Sequence, residues 1–233
     1  MLITILVVFV VSMSLVAGAL WGLYGRLTKK TEGFLIALAG GALIVSAVLE
    51  LIEPAMEDGD VLLPLLFVFI GALVFTGLDF YVKEKWSSKS GGAGLLAAIT
   101  LDGLPENLAL GVALITADPL AVAAFSGSIL LSNLPEAAGG AKEMKDDGRS
   151  KRSILILWTG TAILLSAAVL VGYFFLENVS KDILNNIRCF AGGAVVASLA
   201  IEVFPKAFNE DKYWTGLATA LGLIIAFYLN SLS

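Results

Sequence analysis

Apolar runs of roughly 20 residues recur along the whole 233-residue chain, and each is long enough to cross a hydrocarbon core of about 30 Å as a helix. Composition agrees: 58% of the residues are apolar, 15% are charged, and the mean hydropathy is +0.90. These values exclude an ordinary soluble domain and predict an all-α polytopic membrane protein. Polar breaks divide the chain into eight expected segments, at 2–24, 33–54, 61–82, 92–117, 119–141, 153–176, 184–207 and 214–229, which make up a single transmembrane domain. The first has no basic residue before its apolar stretch, and Arg26, Lys29 and Lys30 follow it. That is the reverse of a cleavable signal peptide, so it is expected to remain as a membrane helix. Segments four and five meet at Asp118-Pro119 as a tight hairpin, and 83–91, rich in Ser, Lys and Gly, reads as the most linker-like loop.

Charge sorts by side. Of the 15 basic residues, only Lys181 and Arg188 follow even-numbered segments; the others lie after segments one, three, five and seven. Lys and Arg are retained on the cytoplasmic face, so those four loops are expected inside and both termini outside, in a multi-pass protein of the cell membrane. The chain has no histidine and one cysteine, Cys189, which removes HExxH zinc chemistry, Ser–His dyads and an internal disulfide. No P-loop glycine pattern occurs. No enzyme is expected, no resident cofactor, and no nucleic-acid partner.

An internal repeat is also legible. Ala39-Gly40-Gly41-Ala42 recurs as Ala191-Gly192-Gly193-Ala194, and Glu50 matches Glu202 at the same offset. The expected topology runs the two copies in opposite directions, an inverted repeat of helices 1–3 and 6–8 around a helix 4/5 hairpin. Such repeats are a recurring design of secondary transporters. The competing reading of the AGGA pair alone is small-residue packing between membrane helices.

Six acids, Glu50, Asp79, Asp102, Glu106, Glu136 and Glu202, fall within or at the ends of apolar segments, while no Lys or Arg occupies a segment's middle. A buried carboxylate in lipid must be protonated, paired or metal-bound, and bulk cations are the expected partner. The informative pair is Asp102-Gly103-Leu104-Pro105-Glu106 with Ser132-Asn133-Leu134-Pro135-Glu136. Each sets oxygen-bearing side chains at i and i+4 on one helix face, and each proline releases a backbone carbonyl, of Leu101 and Leu131 respectively. Counted from the hairpin, the two faces meet near the midplane. An oxygen-only shell leans toward Mn²⁺, Mg²⁺ or Fe²⁺. The plainer alternative is a pair of proline kinks holding protonated acids. Glu50 and Glu202, near opposite mouths, fit either interfacial water or a gate. Glu53, Glu57, Asp58 and Asp60 read as a solvated acidic loop, Asp79 as interfacial, and Trp21, Trp86, Trp158 and Trp214 as interfacial anchors.

With these motifs and this topology the chain resembles the ZIP (Zrt/Irt-like) family of divalent metal transporters over nearly its whole length. The family's paired motifs usually read His-Asn-x-Pro-Glu-Gly or a close variant. The resemblance implies metal ligands at Asp102, Glu106, Ser132, Asn133 and Glu136, with the motif's asparagine falling on Gly103 and its glycine on Asn107. It further implies that Glu50 and Glu202 line entrance and exit, and leaves a homodimer open. Every family histidine is absent here, and segment six contains no acid, so the site implied is a single one made of oxygen. The expected function is uptake of a divalent cation (Zn²⁺, Fe²⁺ or Mn²⁺) into the cytoplasm by alternating access. The alternatives are a cation/proton exchanger and a transport-inactive membrane metal sensor or scaffold.

Overall fold

The computed structural model describes residues 2–56, 61–86, 92–116 and 119–232, and every regular element among them is helical. The elements are α1 (Leu2–Tyr24), α2 (Lys29–Ser46), α3 (Glu53–Met56), α4 (Leu62–Trp86), α5 (Gly92–Thr116), α6 (Pro119–Asp146), α7 (Lys151–Leu176), α8 (Lys181–Ser198), α9 (Phe204–Glu210) and α10 (Thr215–Asn230). A π-helical turn, Ala47–Ile52, joins α2 to α3, and a second, Leu199–Val203, joins α8 to α9, producing continuous rods Lys29–Met56 and Lys181–Glu210. Among the described residues six helices are long and apolar enough to cross a membrane, and two shorter apolar stretches, Gly103–Ile115 and Thr215–Asn230, accompany them. The chain is an all-helical membrane protein. Large apolar side chains such as Phe69, Phe175 and Ile163 point outward, as expected where the surrounding solvent is lipid. The hairpin residue Asp118, the acidic stretch 57–60 and loop residues 87–91 lie outside the described residues.

Several helices run past the apolar stretches that mark them in sequence, and polar chemistry at their ends explains why. The Thr28 hydroxyl accepts from the Thr31 N–H, so α2 begins at Lys29, ahead of its apolar run. Ser150 caps α7 by accepting from the Ser153 N–H. Helix α6 continues to Asp146 because its last turns have work to do: the Lys142 and Lys145 ammonium groups donate to the carbonyls of Leu27 and Leu23, at 3.0 and 3.1 Å. Those carbonyls, at and just beyond the end of α1, would otherwise lack partners. Lys29–Glu210 and Lys206–Glu32 ion pairs (3.3 and 3.7 Å) cluster at the same end of the bundle, called here the basic end.

Packing follows a paired scheme. Helix α1 lies on α6 as α5 lies on α7; α2 lies on α10 as α4 lies on α8; α2 also meets α6, as α8 meets α5. Glycine makes the closest approaches. A Cβ on Gly41 would overlap the Thr219 carbonyl and one on Gly222 the Leu38 carbonyl, locking α2 against α10. In the same way Gly193 abuts Val68 and Gly71 abuts Phe190, locking α8 against α4. Gly40 faces Val203 and Phe204, whereas Gly192 faces Leu51 and Ile52. AGGA is thus a packing element in both positions, with the backbone approach that only glycine permits.

The largest cluster of buried apolar residues is drawn from α1, the first rod, α5, α6, α7 and the second rod, including Leu43, Leu51, Leu110, Phe125, Ile129 and Leu199. A second cluster joins α1, α6 and α7 around Trp158, which is fully buried against Gly140. Trp158 is therefore a core residue and not an interfacial anchor. Gly140 leaves the space that its ring occupies, a relation between two helices that neither segment reveals alone.

Candidate functional site

The two proline motifs sit inside unbroken helices, Pro105 in α5 and Pro135 in α6. Helix α5 descends toward Thr116 and α6 begins at Pro119, so the motifs run antiparallel. With about 1.5 Å of rise per residue, Asp102, Ser132 and Asn133 all lie about 20 Å along their helices from the hairpin end. Glu106 lies about 15 Å from that end and Glu136 about 25 Å, on either side of that level. Glu106, Ser132 and Asn133 are buried, Glu136 is partly exposed, and the charge of Glu136 acts on Glu106. The Asp102 backbone belongs to α5, but its side chain lies outside the described residues.

Among the described residues several buried polar atoms lack hydrogen-bond partners, two of them on Asn107 and Asn133 in the motif helices. The Asn107 amide donates to the Gly103 carbonyl at 2.7 Å, which leaves its Oδ1 buried with no hydrogen-bond partner among the described residues. Asn133 Nδ2, Thr100 Oγ1 and Ser198 Oγ are in the same condition. Leaving a buried polar group unpaired costs about 1–3 kcal/mol, and Asn107 and Asn133 carry that cost within the two motif helices. Asn107 escapes sequence reasoning because it occupies the position where the resembled motif carries glycine; its spacing of four from Gly103 is the available signal. Gly103 itself is pressed against Leu165 of α7, and a Cβ there would come within 2.6 Å of Leu165 Cδ1. It packs the site helix against α7.

Among the described residues no three Asp, Glu or Cys side chains gather closely enough to hold one metal ion. Of the motif side chains, those of Glu106, Asn107, Ser132, Asn133 and Glu136 are among the described residues. Any shell of higher charge there has to draw on Asp102.

The expectation that the six acids lack basic partners needs correcting at three positions. Asp79 is buried near the basic end of α4 and pairs with Lys83 one turn on, at 3.0 Å. That pair holds it against the bundle, at the end of α4 where the interfacial reading placed it. Lys83 also pairs with Glu202, in the second π-helical turn. Glu50, in the first π-helical turn, is buried, accepts from the Asn230 amide at 2.9 Å and lies within electrostatic reach of the buried Arg188. These contacts join residues more than a hundred positions apart and leave no trace in local sequence.

Both π-helical turns have an evident cause. Pro54 and Pro205 follow close behind them. A proline cannot donate to the carbonyl one turn back, so the chain widens locally, and such widened turns aim side chains that a regular helix would carry past. Glu50 and Glu202 each ride on one. Glu136 lies within electrostatic reach of Lys206 and Glu202. No family model and no curated protein matches this chain.

Proposed function

We propose that the protein is a ZIP-like transporter that moves a divalent cation through the midplane group of Asp102, Glu106, Ser132, Asn133 and Glu136. The observation that supports this reading is that two antiparallel proline-glutamate helices hold the buried Glu106 within electrostatic reach of Glu136, beside the Asn107 Oδ1 that has no hydrogen-bond partner among the described residues. A site left with acids and orphan acceptors suits a cation, which satisfies several oxygens at once. Eight membrane-crossing helices arranged as an inverted repeat are part of the proposal. Its support is that α1, the first rod and α4 take partners matched, at offsets of 151 or 152 residues, by those of α7, the second rod and α10. In such a repeat the two halves exchange roles as the site opens alternately to each side.

The basic end is assigned to the cytoplasm and both termini to the outside, on the sorting of Lys and Arg. Cysteine introduced at Ser88 should resist an impermeant thiol reagent in intact cells, while Asp60→Cys should label; labelling at both sites alike overturns this orientation. For the activity, purified protein in liposomes should take up Mn²⁺, Fe²⁺ or Zn²⁺ down a gradient without ATP. Glu106→Gln or Glu136→Gln should lower uptake at least about tenfold, the worth of about 1.4 kcal/mol for one lost anionic ligand. Glu57→Gln should leave it near the parent value. No flux of any of these ions, or equal loss in all three variants, excludes the midplane pathway.

A further inference from the structure

The outward face of α7 carries a hollow of about 730 Å³ at the basic end of the bundle, and its two ends differ in chemistry. Lys151 and Arg152, the first two residues of α7, line its mouth, with the Tyr24 ring of α1 beside them. Both cations are exposed, and the first turn of α7 holds no acid to neutralise them. The Lys151 ammonium stands 4.3 Å from the Tyr24 ring centroid, a cation–π contact that keeps it at the rim. Beyond Arg152 the lining turns apolar. Ile156, Gly160 and Ile163 follow it in steps of four, four and three residues, so all share one face of the helix. The two isoleucines are exposed, and the glycine between them leaves a gap, since a Cβ there would meet nothing within 4 Å. From Arg152 to Ile163 the helix rises about 16 Å, close to the depth of one leaflet in a hydrocarbon core of about 30 Å.

We propose that this hollow binds one anionic phospholipid from the leaflet at the basic end, with its phosphate on Lys151 and Arg152 and an acyl chain laid along Ile156, Gly160 and Ile163. Charge selects the lipid class. A phosphatidylcholine headgroup has no net charge, whereas phosphatidylglycerol brings a full negative charge to two cations at the edge of a low-dielectric region. The planar guanidinium of Arg152 suits a phosphate, which it can hold through two oxygens at once. Below the rim the walls offer apolar contact over the length of one leaflet, which a tail uses and a free phosphate does not. A lipid seated here touches α1 through Tyr24 and α7 through the other residues, and so braces the two helices at their basic ends. None of these residues belongs to the midplane group, and binding is independent of what that group carries.

The test is native mass spectrometry of the full-length protein released from detergent, titrated with dioleoyl phosphatidylglycerol and, separately, with dioleoyl phosphatidylcholine. The parent should bind one phosphatidylglycerol at least about tenfold more tightly than phosphatidylcholine; no preference overturns the site. Lys151→Gln combined with Arg152→Gln should remove the preference. Gly160→Leu fills the groove without meeting a neighbour and should weaken phosphatidylglycerol about tenfold with both cations still in place. Gly160→Met carries the same expectation if the leucine variant folds poorly. Lys30→Gln combined with Lys212→Gln removes two exposed cations outside the hollow and should leave binding as in the parent. An equal loss in that control shows a diffuse basic surface and overturns the site. Glycerol 3-phosphate, a headgroup without a tail, should not displace the lipid in modest excess. Displacement by it, or unchanged lipid binding in both Gly160 variants, reduces the hollow to a phosphate contact and overturns the lipid. A mass of two chains that Gly160→Leu returns to one gives the hollow to a second copy and overturns it equally.

Discussion

The two π-helical turns sit at related places in the two rods and carry the same residue type, yet their glutamates are held differently. Glu50 accepts from a neutral amide, Asn230, in a buried setting that also feels the guanidinium of Arg188. Glu202 is half open and paired with the flexible ammonium of Lys83, which it shares with Asp79. An offset of 151 residues makes Asn230 the counterpart of Asp79. One end thus pairs carboxylate with amide, and the other pairs carboxylate with carboxylate across a cation. An amide contact holds through directional hydrogen bonds of modest strength and answers little to ions. A carboxylate pair bridged by a cation answers to any competing cation. Similar backbones built into opposite ends can therefore differ in what opens them, and the difference lies in a few side chains outside the repeated AGGA element.

The comparison breaks most readily at the glycines, where the two halves should be mechanically alike. Gly41→Ala and Gly193→Ala each push a methyl group onto a backbone carbonyl that cannot retreat. Each should cost about 1–3 kcal/mol, the range for overpacking a close contact. Gly77→Ala and Gly127→Ala, with open space around the new methyl, should change little. Thermal unfolding in detergent measures all four, and a large drop for only one of the first two would show that the halves do not bear load equally.

A smaller effect is expected from copying one end onto the other. Asn230→Asp puts a second carboxylate beside Glu50, as Asp79 stands beside Glu202, but without a lysine between them. In the absence of divalent ions it should lose at least about 1 kcal/mol, the repulsion of two unit charges about 4 Å apart in bulk water, which burial of Glu50 makes a lower bound. Mn²⁺ should restore the loss. A melting temperature indifferent to Mn²⁺ would mean that Arg188 already neutralises the pair and that the two ends differ by more than this position.

The smallest change expected is in preference and not in rate, and it concerns the midplane that both ends share. Asp102→His combined with Ser132→His adds imidazole, which favours later first-row metals, and should raise the Zn²⁺ to Mn²⁺ flux ratio severalfold. Imidazole binds metal only when neutral, so this variant should lose metal as pH falls below about 6.5, where the parent should not show that step. An unchanged ratio in competition assays would remove Asp102 and Ser132 from contact with the transported ion.

Legibility from sequence followed the range of the physics involved. Apolar length shows where helices must run, because the bilayer penalises every exposed backbone group, and α1 spans Leu2–Tyr24, the stretch its apolar run marks out. Helix ends were less legible. The lysines of α6 count as polar in sequence, but in the folded chain their ammonium groups are consumed by carbonyls of α1 and a neighbouring turn. Trp158 went the same way: it reads in sequence as an interfacial anchor, and the gap beside Gly140 put it in the core.

At the site, the i and i+4 spacing of the proline motifs is a local property of a helix and was readable in residue order. The sequence alone determined that Glu106 and Glu136 fall within apolar stretches, that Ser132 and Asn133 share a turn, and that Lys and Arg concentrate in alternate breaks between those stretches. Only the tertiary structure decided that Asn107 keeps an unpaired oxygen among them, that Glu50 rests on Asn230, and that Lys83 stands between Asp79 and Glu202. The reason is that burial depth follows from the solvent, which acts on each segment separately, whereas partnership follows from which helices pack together. Packing is settled by glycine gaps and ridge shapes on two surfaces at once, and neither surface is written in the residues of the other.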